Sequence, residues 1–133
     1  MSGETEPAAQ SAQWAAKADN DIRNAEYTLT LEVGCPFDTI CFHAQQCVEK
    51  YLKALLLHAS SDAPRTHDLR LLLQRLPSEF AEDFRMEDMV DLNRYSVESR
   101  YPGEWEPISR DEAERAVSLA RAVRAAARRL LSQ

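Results

Sequence analysis

Apolar residues recur every three or four positions along almost the whole chain, a spacing that predicts helices. Trp14, Ala18, Ile22, Ala25 and Leu29 form the stripe of a first helix, which Gly34 is expected to stop. Pro36 then suits the opening turn of a second helix reaching about Ala59. Ile40, Ala44, Val48, Tyr51, Leu52 and Leu55 make its main stripe, while Phe42, Leu56 and Leu57 lie on other sides, the mark of a central helix. The run SSDAPRT breaks the pattern, and Thr66 is the expected N-cap of a short helix carrying Leu69, Leu72, Leu73 and Leu76. A further long helix is expected from about Ser78, with Phe80, Phe84, Met89, Leu92 and Tyr95, ending before Pro102. YPGEWEP reads as a loop. Ser109 with Glu112 reads as a capping box opening a last helix that reaches Leu130. No strand pattern appears, so the expected fold is all-α: an antiparallel up-and-down bundle of four long helices plus one short one.

At 133 residues the chain has room for one domain, expected over residues 11–133, preceded by a flexible tail, MSGETEPAAQ. Its longest apolar run, Ala54–Leu57, is far too short to span a bilayer, and no leader pattern is visible. The expectation is a cytoplasmic protein without a membrane partner. Cys35, Cys41 and Cys47 are spaced six apart, which turns each about 240° from the last on a helix. They read as free, buried thiols and not as a shared metal site, and His43 with Cys47 lacks further ligands, so neither metal nor cofactor is expected.

The net charge of −6 argues against a surface that coats nucleic acid. It hides an asymmetry: residues 79–114 hold twelve acids against four arginines, and residues 115–133 hold five arginines and no acid. The polar positions in FHAQQCVEKYLKALLL are more telling. Gln46, Glu49 and Lys53 share one helix face, bracketed by Phe42 and Leu56, with Glu49 and Lys53 at ion-pair spacing and Lys50 near enough to add a second cation. A salt-bridged solvent face, a polar groove and a subunit contact all fit that pattern. His67 and Asp68 open the short helix, where structural roles are expected, and Arg94, Arg100 and Tyr101 close the fourth.

The succession of FHAQQCVEKYLKALLL, THDL, SRYP and an arginine- and alanine-rich last helix resembles the HEPN domain of bacteria and archaea, from about Trp14 to Leu131. The resemblance implies a helical bundle that forms homodimers, is often encoded beside a minimal nucleotidyltransferase, and serves toxin–antitoxin pairs, nucleotide binding or RNA cleavage. Ribonuclease members of that group use an arginine followed, after four to six residues, by a histidine. Here His43, His58 and His67 all precede Arg94 and Arg100. Metal-independent RNA cleavage needs a proton acceptor and a donor, and arginine cannot act as the base near neutral pH. The reading is therefore a binding component that holds a partner protein, a nucleotide or an RNA phosphate through Gln46, Glu49, Lys50, Lys53, Arg94, Arg100 and Tyr101 drawn into one cationic pocket. The alternative is a toxin ribonuclease restrained by a nucleotidyltransferase antitoxin, with Arg94, Arg100 and His67 as its catalytic candidates.

Overall fold

The computed structural model describes residues 5–96 and 107–133. Its helices are α1 (Thr5–Leu29), α2 (Phe37–His58), α3 (Leu69–Arg75), α4 (Ser78–Ala81), α5 (Met86–Asn93) and α6 (Arg110–Leu131). The bundle is all-α among the described residues. Helix α2 lies at its centre, packed against α1, α6, α3 and α5. Its main stripe and Leu56 are fully buried, together with Leu69, Leu72, Met89 and Leu92 from the shorter helices. Each such leucine contributes roughly 1.5–3 kcal/mol relative to exposure. Leu56 thus belongs to the intramolecular core and is not available as a subunit seam.

Three local differences from the periodic pattern have physical reasons. Helix α1 starts at Thr5, inside the segment expected as a tail, with residues 6–10 exposed, and it ends at Leu29, before Gly34. Its final carbonyl is met by Arg110, whose guanidinium donates to the carbonyl oxygens of Leu29 (3.0 Å) and, just beyond the helix, Leu31 (2.7 Å). That cation also sits favourably at the negative end of the helix. Gly34 then takes a left-handed φ of 67° in the connection to α2.

The fourth long helix is split into α4 and α5. Phe84 and Met89 are five residues apart, about 140° out of register on a helix, so a continuous helix could not bury both. Arg85, in extended conformation, restarts the chain instead. At α3 the cap is Asp68, not Thr66: Asp68 Oδ1 accepts from the Arg70 amide (3.0 Å), while the Thr66 hydroxyl accepts from the Asp68 amide (3.1 Å). Asn93 of α5 donates to Asp68 Oδ1 (2.7 Å) and accepts from the Leu69 amide (2.9 Å), tying α3 to the end of α5. Ser109 caps α6 as expected, accepting from the Glu112 amide (3.1 Å).

A polar latch joins the three long helices. Asp19 of α1 accepts from Tyr51 of α2 and from Arg124 (2.8 Å) and Arg128 of α6. Burial alone would raise the Asp19 carboxyl, but the donors Arg124, Tyr51 and Arg128 outweigh it and hold it below the ordinary carboxylate range. The pairs Asp19 with Arg124, Glu26 with Arg121 and Leu29 with Arg110 run in opposite order along the two helices, so α6 is antiparallel to α1. Cys41 and Cys47 are buried free thiols, and burial pushes Cys41 up to about 12 and Cys47 higher still.

Two outcomes follow. A carboxyl held lower in the folded state stabilises above its ordinary range, and that contribution is lost as pH falls through the folded value. Asp19→Asn should therefore flatten the acid limb of a stability–pH curve measured by urea unfolding, besides lowering stability at neutral pH. At the end of α2, Ser60 adopts a left-handed φ of 63° while the Ser61 and Ser60 amides bond back to Leu56 (2.8 Å) and Leu57 (3.0 Å). Ser60→Gly should raise stability by about 1 kcal/mol by relieving that conformation.

Candidate functional site

The central helix carries a carboxylate in its own core. Glu49 is 2% exposed and Lys53, one turn on, 6%. A charge so placed must find donors. Glu49 Oε2 accepts from Lys53 Nζ at 3.0 Å; Oε1 faces His67 Nδ1 at 2.9 Å and accepts from Gln46 Nε2 at 3.3 Å. Gln46 Nε2 also donates to Gln45 Oε1 (2.8 Å), and fully buried Gln45 donates to the His67 carbonyl (3.1 Å). The chain linking α2 to α3 is thereby pinned by both its imidazole and its backbone. Because a carboxylate oxygen only accepts, Nδ1 of His67 carries the proton in this arrangement.

Lys53 Nζ also lies 5.1 Å from the ring centroid of Trp14 on α1. Beyond this pair opens a cleft of about 490 Å³, lined chiefly by Trp14, Lys53, Leu57, Asp62, Arg65 and His67. Glu49 faces inward and its oxygens are occupied, whereas the ammonium retains donor capacity toward the cleft. Arg65 is exposed and makes no hydrogen bond or ion pair among the described residues.

The proposed site residues do not all converge. Gln46, Glu49, Lys53 and His67 form one network. Lys50 lies on a different side: about 100° around the helix from Glu49, it pairs with Asp21 of α1 at 2.5 Å, and the same carboxylate holds His43 Nδ1 at 2.8 Å. Asp68 is the α3 cap and not the partner of His67. Arg94 donates to Glu112 at 2.7 Å, where Tyr95 also donates, in a separate groove between α5 and α6. Burial and the Glu112 carboxylate push the Tyr95 phenol up. Arg100 and Tyr101 lie outside the described residues. Trp14, the first residue of the α1 stripe, is partly buried against the core and lines the cleft. Arg65, in an irregular segment, carries no periodic signal. Among the described residues no cluster of three His, Cys, Asp or Glu side chains could hold a metal ion, and no helix is long and apolar enough to cross a membrane.

The chain is thus an all-α bundle whose central helix carries QQxxEKxxKA, with its glutamate bridged to the histidine of THDL. The HEPN domain model matches residues 11–130, and the chain belongs to that family. Among solved structures it is similar to TT1696 from Thermus thermophilus, with 28% identity and a TM-score of 0.76 over 91% of this chain and 98% of that one. It also shares the fold of ST0689, an archaeal HEPN homologue, at 22% identity and a TM-score of 0.71 over 92% and 98% of the two chains. No curated protein matches the chain.

The network has a measurable signature. Glu49→Gln leaves the Lys53 ammonium buried without its counter-charge and should cost about 3–5 kcal/mol in urea unfolding. Adding Lys53→Met to that variant should recover most of the loss, because no uncompensated charge is then left in the core and the neutral amide at position 49 keeps Gln46 and His67 as partners.

Proposed function

We propose that this HEPN protein is a binding component, acting as a homodimer in a nucleotidyltransferase-associated or toxin–antitoxin system, and that it holds the phosphate of a nucleotide or RNA. The observation that carries this reading is the cleft beside Lys53. Its lip combines a nearly buried ammonium, an unengaged guanidinium at Arg65 and the outer nitrogen of His67, with the Trp14 ring beside them. Donors outnumber acceptors there: Glu49 is saturated from within, leaving Asp62 as the acidic group on the lining. Such a surface suits an anion carrying an aromatic base, bound by charge-assisted hydrogen bonds and stacking. The absence of a histidine after Arg94 or Arg100 supports binding over cleavage by the motif of the family's ribonucleases. One observation favours a second reading as a metal-independent ribonuclease: a carboxylate-oriented imidazole, as in the Glu49–His67 pair, is the arrangement of a general base.

The test is calorimetric titration of the purified protein with adenosine 5′-monophosphate and a short single-stranded RNA, followed by electrophoresis of the RNA. Binding is expected, weakened about tenfold by Arg65→Ala, which removes an exposed side chain without disturbing the core. The RNA should be recovered at full length. Fragmentation that disappears in His67→Ala would establish the ribonuclease instead, and unchanged affinity in a Lys53→Met, Arg65→Ala double variant would refute the cleft as the anion site.

A further inference from the structure

We infer that the cleft is a phosphomonoester site in which His67 Nε2 supplies the third donor, so that it selects a terminal phosphate over a phosphate inside a nucleic-acid chain. The inference rests on the anion-binding reading above and goes one step further, to the class of phosphate.

The orientation of His67 is the starting point. Its Nδ1 is fixed on Glu49 Oε1 at 2.9 Å, and the two side chains differ sharply in exposure, 72% for the imidazole against 3% for the carboxylate. The ring therefore leans out from the buried hub, and Nε2, at its opposite edge, has no protein partner among the described residues. With Nδ1 already protonated, a neutral ring presents a lone pair at Nε2, which repels an anion. A second proton turns that nitrogen into a charged donor. The switch from repulsion to attraction is largest for the ligand with most charge.

A phosphomonoester carries between one and two negative charges near neutral pH and exposes three oxygens; a chain-internal diester carries one charge and two free oxygens. Three donors able to carry positive charge face the cleft: Lys53, Arg65 and, once protonated, His67. The charges around His67 set the balance. Glu49 and Lys53 on α2 form an ion pair, and Asp62 and Arg65 on the connecting segment, though not paired, carry equal and opposite charge. Helix α1 contributes Gln10 and Trp14, which do not titrate, and neighbouring Asp68 is turned to Arg70 and Asn93. The fixed charges around His67 thus cancel, and a donor proton on Nε2 is what tips the cleft toward an anion. Its volume of about 490 Å³ suits one nucleotide unit, with Trp14 for the base and Asp62 to accept from a sugar hydroxyl.

The shared chemistry, a terminal phosphate, has two sources: a free mononucleotide or a phosphorylated RNA end. The experiment uses the full chain with Trp105→Phe, so that Trp14 is the fluorescent reporter, and calorimetry in parallel. The probes are adenosine 5′-monophosphate, a 5′-phosphorylated oligoribonucleotide and the same oligonucleotide with a 5′-hydroxyl, at about pH 6 and about pH 8. The phosphorylated oligonucleotide is expected to bind about tenfold tighter than its 5′-hydroxyl form at the lower pH, with the ratio shrinking at the higher. His67→Asn, whose amide can still donate to Glu49 but which has no second ring nitrogen, should bring the ratio to about one at both pH values while unfolding at an unchanged urea midpoint. Response to the mononucleotide, the RNA end or both identifies the source and supports the inference. Equal affinity for the two oligonucleotides at pH 6 overturns it and leaves the anion-binding reading standing; no binding of any probe overturns both.

Discussion

A carboxylate inside a helical core has to be surrounded by donors, and at Glu49 that requirement organises the neighbourhood. Three donors converge on its two oxygens: Lys53 one turn ahead, Gln46 one turn behind, and His67 from a different part of the chain. The first two come with the helix, since positions three and four apart share a face. The third has to be brought in, and the loop between α2 and α3 is shaped to bring it. The left-handed Ser60 turns the chain at the end of α2, Gln45 holds the His67 carbonyl, and Asp68 caps α3 one residue later. A single buried charge thus couples the path of an irregular segment to the packing of the central helix.

The opposite flank of α2 answers the same kind of requirement differently. Asp19 and Asp21, two residues apart on α1, point to separate partners: Asp19 gathers Tyr51, Arg124 and Arg128, and Asp21 gathers His43 and Lys50. These contacts account for much of the arginine enrichment of α6. Arg121, Arg124 and Arg128 neutralise acids of α1, and Arg110 closes the end of that helix. The arginine excess of residues 115–133 is therefore in large part an intramolecular complement to the acids of α1.

How much of this was legible depended on period. The stripes of α1, α2 and α6 repeat every three to four residues, and the structure buries them, Trp14 and Leu29 at the ends of the α1 stripe only partly. The ion pair of Glu49 with Lys53 followed from the same geometry. The break between α4 and α5 was also written in the chain, as the five-residue step from Phe84 to Met89, but a run of acidic, helix-compatible residues conceals it. Two kinds of information are absent from one-dimensional spacing. Lys50 and Lys53 both stand within a turn of Glu49, and which cation pairs with it depends on where α1 lies. His67 and Arg65 sit in a non-periodic loop, so their approach to α2 depends on a turn conformation that nothing in the local pattern encodes.

The contrast between the two polar flanks of α2 bears on function. On the α1–α6 side Arg124 and Arg128 close on the single carboxylate of Asp19, and Tyr51, raised by burial and by Asp19, remains a neutral donor locked between helices. Such a set bridges three helices and works as a fastener. On the α3 side the matching is one-sided. Glu49 is satisfied from the interior, so the groups that satisfy it, Lys53 and His67, turn unused hydrogen-bonding capacity outward beside an aromatic ring and an unengaged arginine. The same buried carboxylate that stabilises the fold holds these groups in fixed positions, which reduces the entropy lost when a ligand binds to them.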